Sequence, residues 1–232
     1  MSLGPTLGTL LRGLDRRIGI RAWLTGEPKP PTGGFDLKGE KLLDWGWVCV
    51  NLPPGVKRAL EIGSGESPII PAMLALGYSV LAVDLCTDLS KQIGGFTFVK
   101  ADFNAINLDP RFDVVVACST VEHIGLSGRY RSNEDEDGDL NAMRKIADLL
   151  NPEGLLLLTI PMGIDAVYKP WHRVYGRQRI GKLVEGFQVV KSRFLIKEPW
   201  GPWHEATLDK ALDFPADVHR YALGEMMLCK KT

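Results

Sequence analysis

Residues 59–65 read Ala-Leu-Glu-Ile-Gly-Ser-Gly, an apolar run that ends in two glycines. A parallel strand that turns tightly into a helix needs glycine where the backbone bends and where a ligand comes too close for a Cβ atom. A second apolar run, residues 80–83, ends at Asp84, nineteen residues after Gly65. An acidic residue at the tip of the next strand accepts hydrogen bonds from ribose hydroxyls in dinucleotide-binding folds. The pattern therefore predicts a nucleoside-binding site.

The residues that follow Gly65 indicate which ribose ligand fits. A dinucleotide fingerprint has a third glycine, so that strand and helix pack closely while a pyrophosphate sits on the helix N-terminus. Here Pro68 stands in its place, and Ser67-Pro68 is typical of an N-cap followed by the first helical residue. The helix therefore offers few amide donors to a phosphate. Glu61 lies close to the same ligand and suits a cation better than an anion, and S-adenosylmethionine carries a sulfonium and an ammonium.

From this point the chain resembles the class I S-adenosylmethionine-dependent methyltransferases, over roughly residues 55–165. Their first motif is an acidic residue, any residue, Gly, any residue, Gly, and residues 61–65 match it in full. The resemblance implies that the glycine loop contacts the methionine part of the cofactor, Asp84 the ribose, and Asp102 with Phe103 the adenine. The cofactor-binding residues that it implies are Glu61, Gly63, Ser64, Gly65, Asp84, Leu85, Asp102, Phe103, Cys118 and Ser119.

Strand and helix patterns alternate along the chain, which predicts an α/β fold with helices on both faces of a parallel sheet. The predicted strands are 58–63, 79–84, 96–100, 112–118, 154–160, 186–197 and 222–230, and the predicted helices are 68–76, 88–93 and 139–150. The resemblance implies a Rossmann-like, doubly wound, seven-stranded sheet that is mostly parallel and has an antiparallel last strand.

The N-terminal part of the chain reads differently from the rest. We interpret residues 1–50 as a helical cap or extension with a linker, and residues 51–232 as the S-adenosylmethionine-binding domain. Five apolar residues recur at helical spacing with arginines between them, namely Leu7, Leu10, Leu11, Leu14 and Ile18. The spacing predicts an amphipathic helix, and we favour the interpretation that it packs on its own domain. The alternatives are a cap over the site or a helix that lies on a membrane surface. Residues 42–47 are expected to open a helix or lid.

Composition narrows the choice of partners and compartment. The formal net charge of the 232 residues is zero, so no global field draws the protein to nucleic acid. The four cysteines lack C-x-x-C pairing, which is typical of reduced thiols in a cytosolic protein. No run approaches eighteen apolar residues, and no signal-peptide core is present, so we expect a cytoplasmic protein. A homodimer remains an open alternative.

The candidate catalytic residues follow the fourth and fifth predicted strands, because ligands of open parallel sheets bind at the carboxyl ends of the strands. Glu122 and His123 follow the fourth strand, and His172 follows the fifth. A histidine can accept a proton from a hydroxyl at neutral pH; the alternative is that His123 only begins a helix or touches the cofactor. The amino-group methylases of adenine and glutamine carry Asn-Pro-Pro-Tyr or Asp-Pro-Pro-Tyr after the fourth strand. Neither motif is present at this place in the chain. Oxygen is therefore the expected acceptor atom.

Two segments contain the candidate substrate contacts. These residues are Arg129 and Tyr130 in the long connection 126–139, and Trp171, Arg173 and Tyr175 after the fifth strand. Aromatic rings stack on a sugar or ring face, and arginine holds a carboxylate or phosphate; the alternative is that Trp171 and Tyr175 only pack. Residues 133–138 imitate the start of a calcium loop, but Arg144 stands where a bidentate glutamate is required. No zinc or magnesium constellation is evident, so we expect metal-independent chemistry.

Together these observations predict a methyltransferase that acts on a small-molecule or glycan-like acceptor. Glu-His-Ile-Gly-Leu followed later by His-Arg-Val-Tyr-Gly resembles an uncharacterised branch of the family associated with glycan pathways. One alternative is a catalytically inactive partner subunit that still binds S-adenosylmethionine. Another is a nicotinamide-nucleotide oxidoreductase, which Pro68 disfavours.

Overall fold

The computed structural model describes residues 37, 39–55, 58–65, 67–87, 94–109, 111–128, 130, 132–198 and 201–231. The predicted N-terminal amphipathic helix, the predicted helix 88–93 and the candidate residue Arg129 lie outside the described residues. None of the helices in the described ranges is long and apolar enough to cross a membrane.

The described residues form five α-helices and ten strands. The helices are α1 Glu40–Asn51, α2 Ile69–Ala75, α3 Gly138–Leu149, α4 Ile180–Leu183 and α5 Leu208–Leu212, with a 3₁₀ turn at Val121–His123. The strands are β1 Arg58–Ile62, β2 Ser79–Asp84, β3 Thr97–Lys100, β4 Phe112–Cys118, β5 Leu150–Met162, β6 Ala166–Tyr168, β7 His172–Val174, β8 Phe187–Lys197, β9 Trp203–Ala206 and β10 Ala222–Lys230.

Eight of the strands form one sheet in the order β3-β2-β1-β4-β5-β10-β8-β9. Strands β1 to β5 are parallel, and β10 runs antiparallel between β5 and β8. The α/β fold with an antiparallel last strand is thus confirmed, but the sheet has an eighth strand. The segment around β9 contains prolines and a glycine that favour a loop, yet β9 pairs antiparallel with β8 at the edge of the sheet.

The sheet is buried on both faces. Along β4, Val115 and Ala117 join the core beneath α3, whereas Val114 and Val116 join the core beneath α1 and α2. Successive side chains of a strand point to opposite faces, and a parallel strand that is covered on both faces is apolar throughout. This is why the central strands are recognisable in the sequence as continuous hydrophobic runs.

Helix α1 belongs to the same folded unit as the sheet. Its Trp47 and Val48 are buried in one core cluster with Ile69 of α2. The predicted domain boundary between residues 50 and 51 lies at the last turn of this helix. The apolar face of α1 packs in one core with α2 and with Val114 and Val116 of β4.

Candidate functional site

The glycine loop after β1 packs against the connection that follows β4. Gly63 has φ +71°, and a Cβ atom there would overlap Thr120, with the Thr120 Cβ only 2.9 Å away. Gly65 has φ +52° and faces open space. Its amide donates to Asp84 Oδ2 at 3.0 Å. The first glycine is thus required by close packing, and the second leaves room beside the tip of β2.

Asp84 is held in place by the backbone on both of its oxygens. Oδ2 accepts from Gly65, while Oδ1 accepts from the amides of Cys86 and Thr87, each at 2.7 Å. The side chain is nevertheless at the wall of a cleft of about 190 Å³. Carboxylate oxygens have several lone-pair sites, so these bonds orient Asp84 and leave capacity for a ligand.

We call this space the narrow cleft. It is lined at the carboxyl ends of the strands by Gly63, Gly65, Asp84, Leu85, Asp102, Phe103 and Ser119, and farther along by Thr120, His123 and Tyr130. Asp102 Oδ1 accepts from the Asn104 amide at 2.9 Å, and Lys145 Nζ lies 4.7 Å from the centre of the Phe103 ring. Both side chains are therefore positioned by neighbours outside the cleft.

A larger space of about 500 Å³, the acidic chamber, continues from the narrow cleft. Gly63, Gly65, Ser119, His123 and Tyr130 line both spaces. The walls of the chamber also include Glu40, Lys41, Trp45, Glu61, Ser64, Cys118, Glu122, Trp171, His172, His219 and Tyr221. Because the two spaces join at Ser119, ligands in each would meet at the end of β4.

Glu61 is a buried carboxyl group on the chamber wall. Its residue is 1% exposed, and Oε1 accepts from the Ser67 hydroxyl at 3.1 Å. Oε2 has no hydrogen-bond partner among the described residues. Burial raises the pKa of Glu61 to about 7, and the nearby Asp84 charge adds to the shift. A cation placed beside Oε2 would compensate this burial.

Asp44 joins α1 to the end of β4. Its buried carboxylate accepts from the Ser119 hydroxyl at 2.6 Å, and Oδ1 has no partner in the described part of the chain. Burial raises the pKa of Asp44 to about 7. Ser119 has φ 47°, a left-handed conformation that is strained for a residue with a Cβ atom. Such strain at the junction of two cavities is typical of a functional site.

Glu122 and His123 lie side by side on the chamber wall. Burial raises the pKa of Glu122 to about 8, and its Oε1 lies 3.5 Å from His123 Nε2. His123 Nδ1 lies 2.6 Å from the Trp171 carbonyl oxygen, which can only accept, so Nδ1 carries a hydrogen. In the neutral ring Nε2 is then the nitrogen without a hydrogen, and therefore the basic one.

His172 enters the chamber from the β6–β7 hairpin. Its buried ring lies 6.4 Å from the His123 ring and 5.2 Å from that of Tyr221, centre to centre. Tyr221 donates its hydroxyl to Glu40 at 2.9 Å. The three catalytic candidates Glu122, His123 and His172 are thus brought together, although His172 lies about fifty positions after the other two in the sequence.

The structure corrects the expectation for Arg173 and Tyr175. Arg173 is 1% exposed and donates to the carbonyls of Ile124 and Asp135 at 2.6 and 3.0 Å. The fully buried Tyr175 hydroxyl donates to Asp139 at 3.0 Å. Neither lines the narrow cleft or the chamber. Their donors are used to fix the connection 126–139, so both are left out of the site.

The remaining candidates line the two spaces. All ten residues that the family resemblance implies for the cofactor lie on the narrow cleft, the chamber or both, and Tyr130 and Trp171 lie at the chamber. Five further residues at or behind the chamber wall were not predicted from the sequence, namely Glu40, Lys41 and Asp44 of α1, and His219 and Tyr221 before β10. The sequence feature that could have pointed to Asp44 is a single carboxylate within an otherwise apolar helical segment. No set of three or more described His, Cys, Asp or Glu residues is arranged to hold a metal ion.

Residues 72–198, more than half of the chain, match a family model described as Caenorhabditis protein of unknown function, DUF268. The chain belongs to the DUF268 family. The DUF268 match runs from within α2 to just past the end of β8 and includes Asp84, Asp102, Glu122 and His123. It begins after the glycine loop. No curated protein matches this DUF268 chain in sequence.

Solved structures with the class I methyltransferase fold resemble the DUF268 chain. The N-methyltransferase NodS from Bradyrhizobium japonicum, solved with S-adenosylhomocysteine, has a TM-score of 0.56 at 15% identity over 84% of this chain and 88% of its own. The 1,6-didemethyltoxoflavin-N1-methyltransferase of Burkholderia thailandensis has a TM-score of 0.55 at 16% identity, over 100% and 92%. The mitomycin 7-O-methyltransferase MmcR has 0.52 at 14%, over 84% and 55%. At such identities the likeness establishes the fold and leaves the reaction open.

Proposed function

We propose that this protein is an S-adenosylmethionine-dependent methyltransferase that acts on a small-molecule or glycan-like acceptor. The observation that carries the proposal is the junction of the narrow cleft and the acidic chamber at Gly63 and Ser119. A ligand that follows Asp84 from the tip of β2 toward Glu61 would present its reactive end at this junction. The chamber then gives a second ligand access to that end.

The residues present fit the cofactor. Asp84, oriented by three backbone amides, would accept from the ribose hydroxyls, and Asp102 with Phe103 would border the adenine. The unpartnered Oε2 of Glu61 would accept from the ammonium of the methionine part. When bound, S-adenosylmethionine supplies an electrophilic methyl group on a sulfonium. In this proposal Glu61 binds the ammonium group of S-adenosylmethionine, and Asp84 binds its ribose.

His123 and Glu122 are the proposed proton-handling pair. The hydrogen bond from Nδ1 to the Trp171 carbonyl fixes the ring and leaves Nε2 as the basic nitrogen. Glu122 beside Nε2 would stabilise the imidazolium that forms when the ring accepts a proton. His172, on the same wall, is the second candidate base. Catalysis beyond this step would come from alignment of the two ligands at the junction.

The aromatic residues at the chamber are the proposed acceptor contacts. Trp171 is 44% exposed, and the Tyr130 and His123 rings pack edge to face at 4.9 Å. An exposed indole beside a chamber suits stacking on a sugar or ring face. The neighbours named above include both N- and O-methyltransferases, so they do not select the acceptor atom.

Calorimetric titration tests the cofactor. The purified protein is titrated with S-adenosylmethionine, S-adenosylhomocysteine and NAD. The same titrations are made with the variant Asp84→Ala and with the control variant Asp148→Ala, which changes an exposed aspartate of α3. We expect binding of the first two ligands, weakened by about 1–3 kcal/mol in Asp84→Ala because ribose donors lose a buried acceptor. The control should bind as the wild type does. Absence of binding, or tighter binding of NAD, would contradict the proposal.

A catalytically inactive partner subunit is distinguished by turnover. If S-adenosylmethionine binds and no acceptor, including amines and alcohols, accumulates a methyl group from radiolabelled cofactor, the inactive alternative gains support. Accumulation that His123→Ala abolishes, with cofactor affinity retained, would support the enzyme.

A further inference from the structure

We infer that the acidic chamber receives a protonated amine of the methyl acceptor, with Glu122 as its principal contact and Asp44 as a second carboxylate behind Ser119. This inference rests on the proposed function and names its substrate class. It departs from the expectation of an oxygen acceptor, which rested on a motif missing after β4 and not on the surroundings of the acceptor.

The charges around the chamber are unbalanced. Three glutamates, Glu40, Glu61 and Glu122, line the chamber. Among the described lining residues, Lys41 is the only lysine, and there is no arginine. Lys41 Nζ lies 3.4 Å from Glu40 Oε1, and its side chain is 49% exposed. Lys41 therefore pairs most closely with Glu40, and although its charge also acts on Glu122 and Asp44, one lysine faces the three lining carboxyl groups. Since Glu61 is assigned to the cofactor ammonium, Glu122 remains for the acceptor.

Glu122 is positioned to bind a donor from the chamber. The residue is 2% exposed, and Oε2 has no hydrogen-bond partner among the described residues. Oδ1 of Asp44, which is 1% exposed, likewise has none. A buried acceptor without a donor is costly, and such atoms in a folded protein require an explanation. An ammonium supplies several N–H donors together with the opposite charge, whereas a hydroxyl supplies a single donor and no charge.

The same group can prepare the amine for reaction. An ammonium has no lone pair, so one N–H proton first passes to the Glu122 carboxylate, which becomes a carboxylic acid. The nitrogen lone pair then forms the new N–C bond to the methyl carbon, while the C–S bond breaks and its electron pair stays on sulfur. The positive charge moves from sulfur to nitrogen, and Glu122 later passes its proton to the neighbouring His123 Nε2, which releases it to water. Burial, which raises the pKa of Glu122 to about 8, favours this uptake of a proton.

Matched amines and alcohols test the inference. The protein saturated with S-adenosylhomocysteine is titrated with benzylamine and benzyl alcohol, and with glucosamine and glucose. Tryptophan fluorescence is a suitable signal because Trp45 and Trp171 line the chamber. We expect at least one amine to bind about tenfold or more tightly than its alcohol, since an ammonium pairs with a buried carboxylate. Equal affinities, a preference for the alcohols, or no binding by any amine would overturn the inference.

Two variants locate the contact. Glu122→Gln keeps the shape of the side chain and should lose about tenfold or more in amine affinity, with unchanged affinity for S-adenosylhomocysteine. Asp44→Asn should give a smaller loss and serves as the second variant if Glu122→Gln does not fold. Glu185→Gln, at an exposed glutamate outside the chamber, is the matched control and should bind the amine as the wild type does.

The outcomes separate the two proposals. If S-adenosylhomocysteine itself does not bind to the wild type, the proposed function fails and the amine inference fails with it. If S-adenosylhomocysteine binds but the amines show no preference, or if Glu122→Gln leaves their affinity unchanged, the amine inference alone is overturned.

Discussion

At the residue scale, Gly63 should be the least replaceable glycine of the loop. An alanine there combines a left-handed φ with overlap on Thr120, whereas an alanine at Gly65 has the same backbone problem and open space around its Cβ. We expect Gly65→Ala to lower the free energy of unfolding by about 1–2 kcal/mol. Gly63→Ala should lower the free energy of unfolding by about 1–3 kcal/mol more than Gly65→Ala does, because the added Cβ atom overpacks against Thr120. Urea denaturation measures both.

Gly46→Ala is the control for these glycine variants. Gly46 lies on the exposed side of α1, has an ordinary φ, and has nothing within 4 Å of a built Cβ atom. The substitution should raise stability by about 0.5–1 kcal/mol, because alanine favours a helix interior over glycine. If Gly63→Ala were no more destabilising than Gly65→Ala, the contact with Thr120 would not constrain the loop.

Asp84 and Asp44 mark what could and could not be predicted from the sequence. Asp84 was predictable because it directly follows an apolar strand, and the carboxyl ends of parallel strands meet at one edge of the sheet. Asp44 reaches the site through a hydrogen bond to Ser119, 75 positions away along the chain. That contact depends on how α1 docks on the sheet, which no local pattern specifies. The prediction that Arg173 contacts the substrate met the converse problem. Its sequence position suggested a binding role, but its guanidinium donates to backbone carbonyls inside the fold.

At the scale of the element, α1 has one face in the core and another on the chamber, and its two tryptophans should separate these roles. Trp47 is 4% exposed and packs with Val48 and Ile69, whereas Trp45 is only partly buried against the same core and also lines the chamber. Trp47→Ala should lower the free energy of unfolding by about 3–5 kcal/mol through lost burial and a cavity. Trp45→Ala should cost less stability and instead weaken acceptor binding in the complex with S-adenosylhomocysteine.

Chemical denaturation and titration of both variants check this division. Equal losses of stability would mean that α1 does not present a separate face to the chamber. A loss of acceptor affinity in Trp47→Ala alone would contradict the assignment of Trp45 to the site.

The long elements were predictable and the short ones were not. Strands β2 and β4 have the predicted bounds, because parallel strands buried on both faces are continuous apolar runs. The β6–β7 hairpin has three residues in each strand, which is too short for a period to be recognised. It was therefore missed, although it carries His172 into the chamber. Strand β9 was missed because its surroundings are rich in turn residues.

At the scale of the whole molecule, several carboxyl groups are buried at one end of one sheet, and this should make the ligand-free protein less stable as the pH rises. Burial raises the pKa of Asp44 and Glu61 to about 7 and that of Glu122 to about 8. Their pKa values in an unfolded chain are about 4. The folded state therefore holds these protons more tightly, and the stability that they contribute is full below pH 4 and lost as the pH rises toward 8.

Denaturation by urea between pH 5.5 and 8.5 tests the prediction with one variant and one control. Each group protonated in the folded state and ionised in the unfolded state contributes a slope of about −1.4 kcal/mol per pH unit. Glu122→Gln cannot ionise at this position, so its free energy of unfolding should fall less steeply by about that amount. Glu185→Gln, at an exposed site, should keep the wild-type slope. A wild-type stability that is flat or rises with pH would mean that these carboxyl groups ionise without penalty, and the chamber would then place no demand on the charge of its ligand.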